Sequence, residues 1–375
     1  MRAASILLTV LLALPANAQD READQGAPIV VTGVPLTHSQ KQLDDCIKRH
    51  CQPKEEIEAT LAHAENQFVA GDYAGARRTL SEGHDRNFRY AKTLPVEVAD
   101  LERAFGRLTD VNGFSDIGRF LQIRSLETLK AGLDNDDARV LAQRLMIGDE
   151  FARAGRIRAA EDVYRSVTKK GQKAGEFSIV GYAMLREAMM YVALASILDE
   201  YRDSADKRIR ALENTRESEL AAYRTGARLL RAQLTAYRGD HAELDKAIAA
   251  IAPQTSGKPI IVYNPPFRLT EAGGTTMKLS GPQWIDVSFS IAANGAVRGI
   301  ETLRDSGNVE KGWPQQVYKA LAARRYAPQA RDGLQRVERF SWVHDEARVT
   351  GSRMRQRKVE GRLTSLDLTD DPAPS

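Results

Sequence analysis

The chain has 375 residues, which is enough for two or three domains with sizeable cores. Hydrophobic residues make up 42% of the sequence and charged residues 28%, as in soluble globular proteins. The formal net charge is only +4, so the composition excludes a strongly basic nucleic-acid-binding protein.

The N-terminus predicts a secretory signal peptide, residues 1–18. Arg2 gives a positive start, residues 4–14 form a short apolar core, and Ala16-Asn17-Ala18 fits a cleavage site. The apolar core is too short to span a bilayer, and no other run suggests a membrane span. We therefore expect cleavage after Ala18 and a periplasmic protein, with a retained signal anchor as the alternative. Residues 19–40 are expected to be a flexible segment.

Cys46 and Cys51 are the two cysteines of the chain. In an oxidising compartment, a close pair predicts one disulfide. Five residues along a continuous helix would exceed the roughly 7 Å that a disulfide allows between Cα atoms, so the chain must turn between them. Pro53 fits the start of another helix. The alternative is a metal site with His50 and His63, although no second ligand pair follows.

Residues 41–252 contain almost only helix formers and a repeat of 42 residues. The repeat is marked by glycines at the same position of successive copies: Gly71, Gly113, Gly155 and Gly239. Ile197 occupies this position in the one copy that has no glycine there. We expect each glycine to supply the positive φ that ends the first helix of a hairpin. Seven positions upstream, four of five residues are small, as close helix packing requires: Ala64, Gly106, Gly148, Met190 and Ala232.

The third copy resembles a tetratricopeptide repeat, whose small and aromatic positions have the same spacing. The matching residues are Gly148, Phe151, Gly155, Ile157, Ala160 and Tyr164. A period of 42 exceeds the usual length of about 34, so the helices or connections must be longer. The resemblance implies a solenoid of helical hairpins with a concave surface that holds peptides or protein segments. The alternative is a helical bundle with coincidental spacing.

Residues 284–343 predict a small ββαβ module. Residues 285–291 alternate apolar and polar side chains, as a half-buried strand does. Asn294-Gly295 predicts a tight hairpin turn into a second strand, residues 297–303. A helix then starts near Pro314, and the β-rich run 337–343 follows. The fold class is therefore mostly α, with a small α+β domain after the helical repeats.

This module resembles the C-terminal domain of the TonB energy-transducer family. The matching elements are Ile285, Val287, Phe289, Ile291, Asn294-Gly295, Val297, Ser306-Gly307, Arg325-Tyr326-Ala327-Pro328 and Gly333. Gln283 departs from the pattern, because the family often has glycine there. The resemblance implies a domain, residues 253–346, that binds an extended peptide at an exposed sheet edge. We assign this binding to the last strand, at Val337, Arg339, Phe340 and Trp342. An unrelated ββαβ domain is the alternative.

TonB transducers, as the resemblance implies, are tethered by an uncleaved helix and carry a proline-rich spacer. This chain is instead predicted to have a cleavable leader, and it contains only 14 prolines. We therefore expect binding rather than energy transduction. Residues 28–33 resemble the short box by which outer-membrane receptors engage TonB domains. We expect them to form a first strand or a linker; the alternative is that they pair with the edge of the C-terminal sheet of this chain or of a second copy. Residues 347–375 are predicted to be a disordered tail.

No catalytic, cofactor-binding or metal motif occurs in the sequence, so we expect a protein that is not an enzyme and needs no cofactor. The predicted function is a periplasmic interaction scaffold that binds a protein or peptide, such as a segment of an outer-membrane receptor. The alternatives are an enzyme, an envelope-polymer-binding factor or a TonB-related transport component. A polymer-binding surface would need an aromatic platform, and only 6% of the residues are aromatic.

Overall fold

The structure, a computed structural model, describes residues 35–237, 241–265, 282–310, 312–348 and 354–369. The signal peptide, the segment 28–33 and Gly239 lie outside these residues, and the predictions made for them stay predictions.

Helices form the first two thirds of the described chain. They are α1 Leu36–Lys48, α2 Pro53–Val69, α3 Tyr73–Asn87, α4 Pro95–Val111, α5 Ser115–Gly132, α6 Ala138–Arg153, α7 Ile157–Ala174, α8 Phe177–Ala195, α9 Arg202–Glu213, α10 Ala221–Ala236 and α11 Ala242–Ala249. The C-terminal part contains β1 Ile261–Tyr263, β2 Gln283–Ile291, β3 Val297–Asp305, α12 Trp313–Ala323, β4 Arg325–Tyr326, β5 Leu334–Arg348 and β6 Arg355–Asp367.

The helices from α2 to α11 form five consecutive hairpins, and the 42-residue spacing is the length of one hairpin with its connection. Gly71, Gly113 and Gly155 lie in the turns after α2, α4 and α6, each with a positive φ between 70° and 91°. Ile197 lies in the turn between α8 and α9. The prediction of helical hairpins is confirmed, and the glycines stand where the chain leaves the first helix.

Small residues stand where the two helices of a hairpin touch. A Cβ atom on Gly148 of α6 would lie 2.7 Å from the ring of Tyr164 on α7. A Cβ atom on Gly106 of α4 would lie 3.0 Å from the carbonyl oxygen of Gly118 on α5. The apolar faces then bury one another along the row, because a single hairpin leaves its core side exposed. The largest resulting core spans α6 to α10.

The C-terminal part is a four-stranded antiparallel sheet with the order β3-β2-β5-β6. Helix α12 packs on it through Val317 and Leu321, against Val287 and Phe289 of β2. Strands β1 and β4 form a separate pair. The predicted order of strand, hairpin, strand, helix and strand is confirmed, while the assignment to the TonB fold stays a proposal.

Two boundary predictions are wrong. Residues 355–367 of the predicted disordered tail form β6, which pairs with β5 along most of its length. The charged sequence of β6 does not suggest a strand, because β6 is stabilised by its contacts with the neighbouring strand β5. Gly361 lies against the ring of Trp342, and Leu363 is buried. The predicted flexible segment 19–40 also ends too late, because α1 starts at Leu36.

Candidate interaction surfaces

A buried arginine attaches the sheet to the helices. Arg339 of β5 is fully buried, and its Nε lies 2.6 Å from Oδ1 of Asp286 on β2. The same guanidinium donates to the carbonyl oxygens of Phe68 and Val69, at 2.6 and 2.9 Å, and stacks 4.0 Å from the Trp284 ring. These carbonyls lie at the end of α2, where that of Phe68 also accepts from the Gly71 N–H at 2.9 Å and that of Val69 accepts from side chains. Arg339 therefore links the end of α2 to the buried carboxylate of Asp286.

Two further contacts fix the position of the sheet. At the turn after α4, Arg362 of β6 pairs with Asp110 at 2.9 Å, and the Glu346 N–H donates to the Gly113 carbonyl at 2.7 Å. At the other end of the helical row, Val262 of β1 packs with Ala232 and neighbouring residues of α10 and α11. The C-terminal part thus contacts the first, second and fifth hairpins.

The four residues expected to bind a peptide do not lie at a sheet edge. Strand β5 is hydrogen-bonded to β2 on one side and to β6 on the other. Val337, Arg339, Phe340 and Trp342 are each at most 5% exposed. The structure therefore does not support peptide binding at these residues, since a strand can be added only where backbone groups are free. Their role in the structure is packing, and Arg339 also docks the sheet.

Strand β3 is an edge of the sheet. Among the described residues it pairs only with β2, and its residues after Val297 are exposed apart from Ile300, which is partly buried. Leu303 is 55% exposed on this strand. The far end of the strand is anchored, because Arg304 pairs with Asp286 at 2.6 Å and donates to the Val69 carbonyl at 2.8 Å. The backbone of β3 can therefore accept another strand on a sheet whose position is fixed.

The edge position of β3 was not predicted from the sequence. The sequence of β3 contains Arg298, Glu301, Arg304 and Asp305, which give it the charged character of a strand exposed on one edge. This charge pattern was the available signal.

The partly buried arginines between hairpins are mostly held by carboxylates. Arg208 of α9 pairs with Glu161 of α7 at 2.5 Å, and Arg231 of α10 pairs with Glu213 of α9 at 2.6 Å. Arg186 of α8 pairs with Asp149 of α6, which also accepts a 2.7 Å hydrogen bond from the Tyr164 hydroxyl. Burial raises the pKa of that hydroxyl above the ordinary range, so Tyr164 stays a donor. These pairs hold neighbouring hairpins in register.

Helix α4 carries two arginines in a different environment. Arg103 and Arg107 stand four residues apart on one face of the helix. Arg103 pairs with Asp100 of its own helix, while no hydrogen bond or ion pair joins the Arg107 guanidinium to any residue that the structure describes. Burial lowers the pKa of both groups, and the charge of Arg107 lowers that of Arg103 further. Arg107 is nevertheless exposed, so solvent reaches part of its side chain. Their i,i+4 spacing was the sequence signal for this pair, and the sequence analysis did not use it.

A pocket of about 340 Å³ lies between the connection from α7 to α8 and the connection from α9 to α10. Its floor is apolar, with Phe177, Val180, Met184 and Leu220, and Asn214 stands at its rim. It has room for an apolar side chain, and no buried charged group of the described chain points into it.

The cysteines form the predicted disulfide. Cys46 near the end of α1 is bonded to Cys51, with the Cα atoms 5.1 Å apart, and the chain turns between them at His50, whose φ is 51°. Glu55 lies close to both sulfurs, but bonded sulfurs offer no thiolate to a metal. His63 instead makes a 2.9 Å hydrogen bond with Ser39, and burial lowers its pKa.

Among the described helices, α8 is long and apolar enough to cross a membrane by length and composition. Half of that window is buried within the protein, where α8 contributes Val180, Ala188 and Met190 to the largest core. A core helix passes the same test, so α8 is weak evidence for a membrane span.

Comparison with known proteins gives distant structural similarity only. No family model matches the chain, and no curated protein matches it. The solved structure of BtubC (BKLC) from P. vanneervenii is similar over 57% of this chain and 87% of that chain, with 12% identity and a TM-score of 0.42. A Podosopora anserina kinesin light chain with nearly identical TPR-like repeats is similar over 53% of this chain and 93% of that chain, with 14% identity and a TM-score of 0.39. Because both TM-scores are below 0.5, the description as helical hairpins rests on this chain's own helices.

Proposed function

We propose that this chain is an exported protein-interaction protein whose C-terminal domain, related to that of TonB, binds an extended segment of a partner protein by strand addition to β3. The observation that carries the proposal is the exposed outer edge of β3. Main-chain N–H and C=O groups along such an edge can pair with another strand and give affinity without requiring a fixed sequence.

The side chains of β3 suit a partner strand better than uncontrolled self-association. Leu303 offers an apolar contact for one residue of the added strand. Arg298, Glu301 and Asp305 place charges of both signs along the same strand, and charged side chains discourage pairing between identical edges. The occupant is therefore a short extended segment with an apolar residue opposite Leu303.

The helical part gives the domain a fixed support. Arg339, Arg362 and the contacts of β1 attach the sheet to three hairpins, so binding at β3 takes place on a positioned surface. Export is supported by the signal-peptide pattern of residues 1–18, and the Cys46–Cys51 disulfide suits an oxidising compartment.

Site-specific photo-crosslinking tests the proposal. A photoreactive residue at Leu303 should capture a partner in the periplasm, while the same residue at Ile197, which is 49% exposed in a hairpin turn, is the matched control. A synthetic peptide from the captured segment should then slow amide exchange in residues 297–305. Leu303→Lys should weaken that peptide without lowering the melting temperature.

Other outcomes count against the proposal. Capture at Ile197 but not at Leu303 would place the partner on the helices. Binding without protection of β3 would exclude strand addition. Recovery of the chain only in the cytoplasm would refute export and leave the edge open to separate testing.

A further inference from the structure

The first helix of the described chain begins beside the end of α2. Helices α1 and α2 are antiparallel, because the Cys46–Cys51 disulfide joins them at one end and Ser39 makes a 2.9 Å hydrogen bond with His63 nearer the other. At a rise of about 1.5 Å per residue, these contacts place the start of α1 about one turn short of the end of α2. Pro35, the residue before α1, has an extended backbone with φ −51° and ψ 131°. The preceding chain therefore enters at this end of the first hairpin.

The edge strand of the sheet ends at the same place. Arg304, near the carboxyl end of β3, donates to the carbonyl oxygen of Val69 at 2.8 Å, and Val69 is the last residue of α2. The carboxyl end of β3 thus lies within one arginine side chain of the end of α2. Residues 19–34 span up to about 50 Å when extended, so they can reach along β3 without any change in the described part of the chain.

The residues next to α1 have the composition of a strand. Residues 29–32 are Ile, Val, Val and Thr, all β-branched and uncharged. Val34 precedes Pro35, and a residue before proline favours extended backbone. Residues 20–25, by contrast, are mostly charged. The part of the N-terminal segment that suits strand addition is therefore the part closest to the β3 edge.

The sheet offers apolar contacts beside this edge. Ile300 of β3 and Tyr318 of α12 both pack on the sheet core and are only partly buried. Alternate side chains of an added strand would cover them on the α12 side. The pairing of β3 with β2 is irregular near Gly299 and Leu303, and such bulges restrict the edge to a short added strand. A short strand gains from a tether, which gives an effective concentration of about millimolar.

We propose that residues 28–33 pair with the outer edge of β3 in the same molecule, so that a partner segment has to displace them. The carboxyl ends of both segments lie at the end of α2, so the two strands run parallel. Covering the edge also prevents association between the edges of two molecules. The pairing depends on the β3 edge alone, whereas displacement by a partner rests on the proposed function.

Amide exchange of the mature chain tests the pairing. Val30→Pro with Val31→Pro removes a donor facing β3 in either orientation, because successive N–H groups of a strand point to opposite sides. Residues 297–305 should then exchange about tenfold faster, as expected if the edge is free about one tenth of the time in the native chain. Ala23→Pro with Gln25→Pro is the matched control and should change nothing. Equal exchange in all three proteins would overturn the proposal and leave β3 open to a partner.

A synthetic peptide of residues 26–34 tests the competition. Added at about 1 mM, the effective concentration of a tethered segment, it should restore the protection of residues 297–305 in the double-proline variant. It should also bind the native chain about tenfold more weakly than this variant, because the native segment competes for the same edge. Failure to restore protection, or equal affinity for both proteins, would overturn the proposal.

Dilution distinguishes pairing within one molecule from pairing between two. Protection of residues 297–305 in the native chain should be the same at about 1 and about 100 μM protein, because an intramolecular contact does not depend on concentration. Protection that increases with concentration, together with a dimer in analytical ultracentrifugation, would assign the segment to a second copy and overturn the proposal.

Discussion

Arg339 and Arg304 contact the same two partners and differ mainly in burial, which allows a sharp test of how the sheet is held. Both guanidiniums pair with Asp286 and donate to the Val69 carbonyl. The Arg339 side chain is fully buried, whereas that of Arg304 is 44% exposed. Removing one partner of a buried ion pair leaves an uncompensated charge and costs about 3–5 kcal/mol. An exposed pair contributes about 0–1 kcal/mol.

We therefore expect Arg339→Met to destabilise the protein by about 3 kcal/mol, near the lower limit, because Asp286 keeps Arg304 as a partner. Arg304→Met should cost about 1 kcal/mol or less. Urea unfolding followed by tryptophan fluorescence reports this directly, since Trp284 stacks on Arg339. Amide exchange should show loss of protection in β2, β5 and the end of α2 in Arg339→Met.

The double variant Arg339→Met with Asp286→Leu serves as the control, because removing both charges should recover much of the loss. Equal effects of the two single variants would refute the reasoning. So would a loss below about 1 kcal/mol for Arg339→Met.

Three further predictions concern the helices. Gly148→Ala should destabilise by about 1–3 kcal/mol, because the added Cβ would meet the Tyr164 ring; an unchanged melting temperature would refute close packing there. Replacing Cys46 and Cys51 by serine should lower the stability of α1 on α2 by about 2 kcal/mol, measured by amide exchange of α1 and α2 against the oxidised protein. Burial lowers the pKa of His63 in the folded protein. As the pH falls below about 6.5, this histidine is therefore protonated more readily in the unfolded chain than in the folded protein. Stability should fall on acidification, and His63→Phe should make that fall shallower between about pH 6.5 and 5; parallel curves would exclude His63 as a cause.

Much of the fold was predictable because the signals are local. A glycine with positive φ at Gly71 or Gly155 ends a helix whatever lies beyond it, and its recurrence shows the hairpin length. The alternation in residues 285–291 and the turn at Asn294-Gly295 likewise act within a few residues. The disulfide followed from the spacing of two cysteines and the need for a turn.

The candidate site was less predictable. The last predicted strand was expected to be the edge, but β5 is interior. The residue pattern of a strand does not show which strands lie beside it. Strand β6 has few apolar residues, so it can be recognised as a strand only from its pairing with β5 in the structure. Arg103 and Arg107 have an identifiable spacing, but only the packing around them shows that one is paired and the other is not.

The sequence by itself determined the hairpins, the ββαβ order and the cysteine pair, since each depends on backbone preferences and contacts between near neighbours in the chain. The tertiary structure alone decided that β3 is an edge, that β5 is interior and where the sheet docks. These properties depend on contacts between residues far apart in sequence, as between Arg339 and Phe68. Such contacts leave no periodic trace in the chain, because they form only when separate elements pack together.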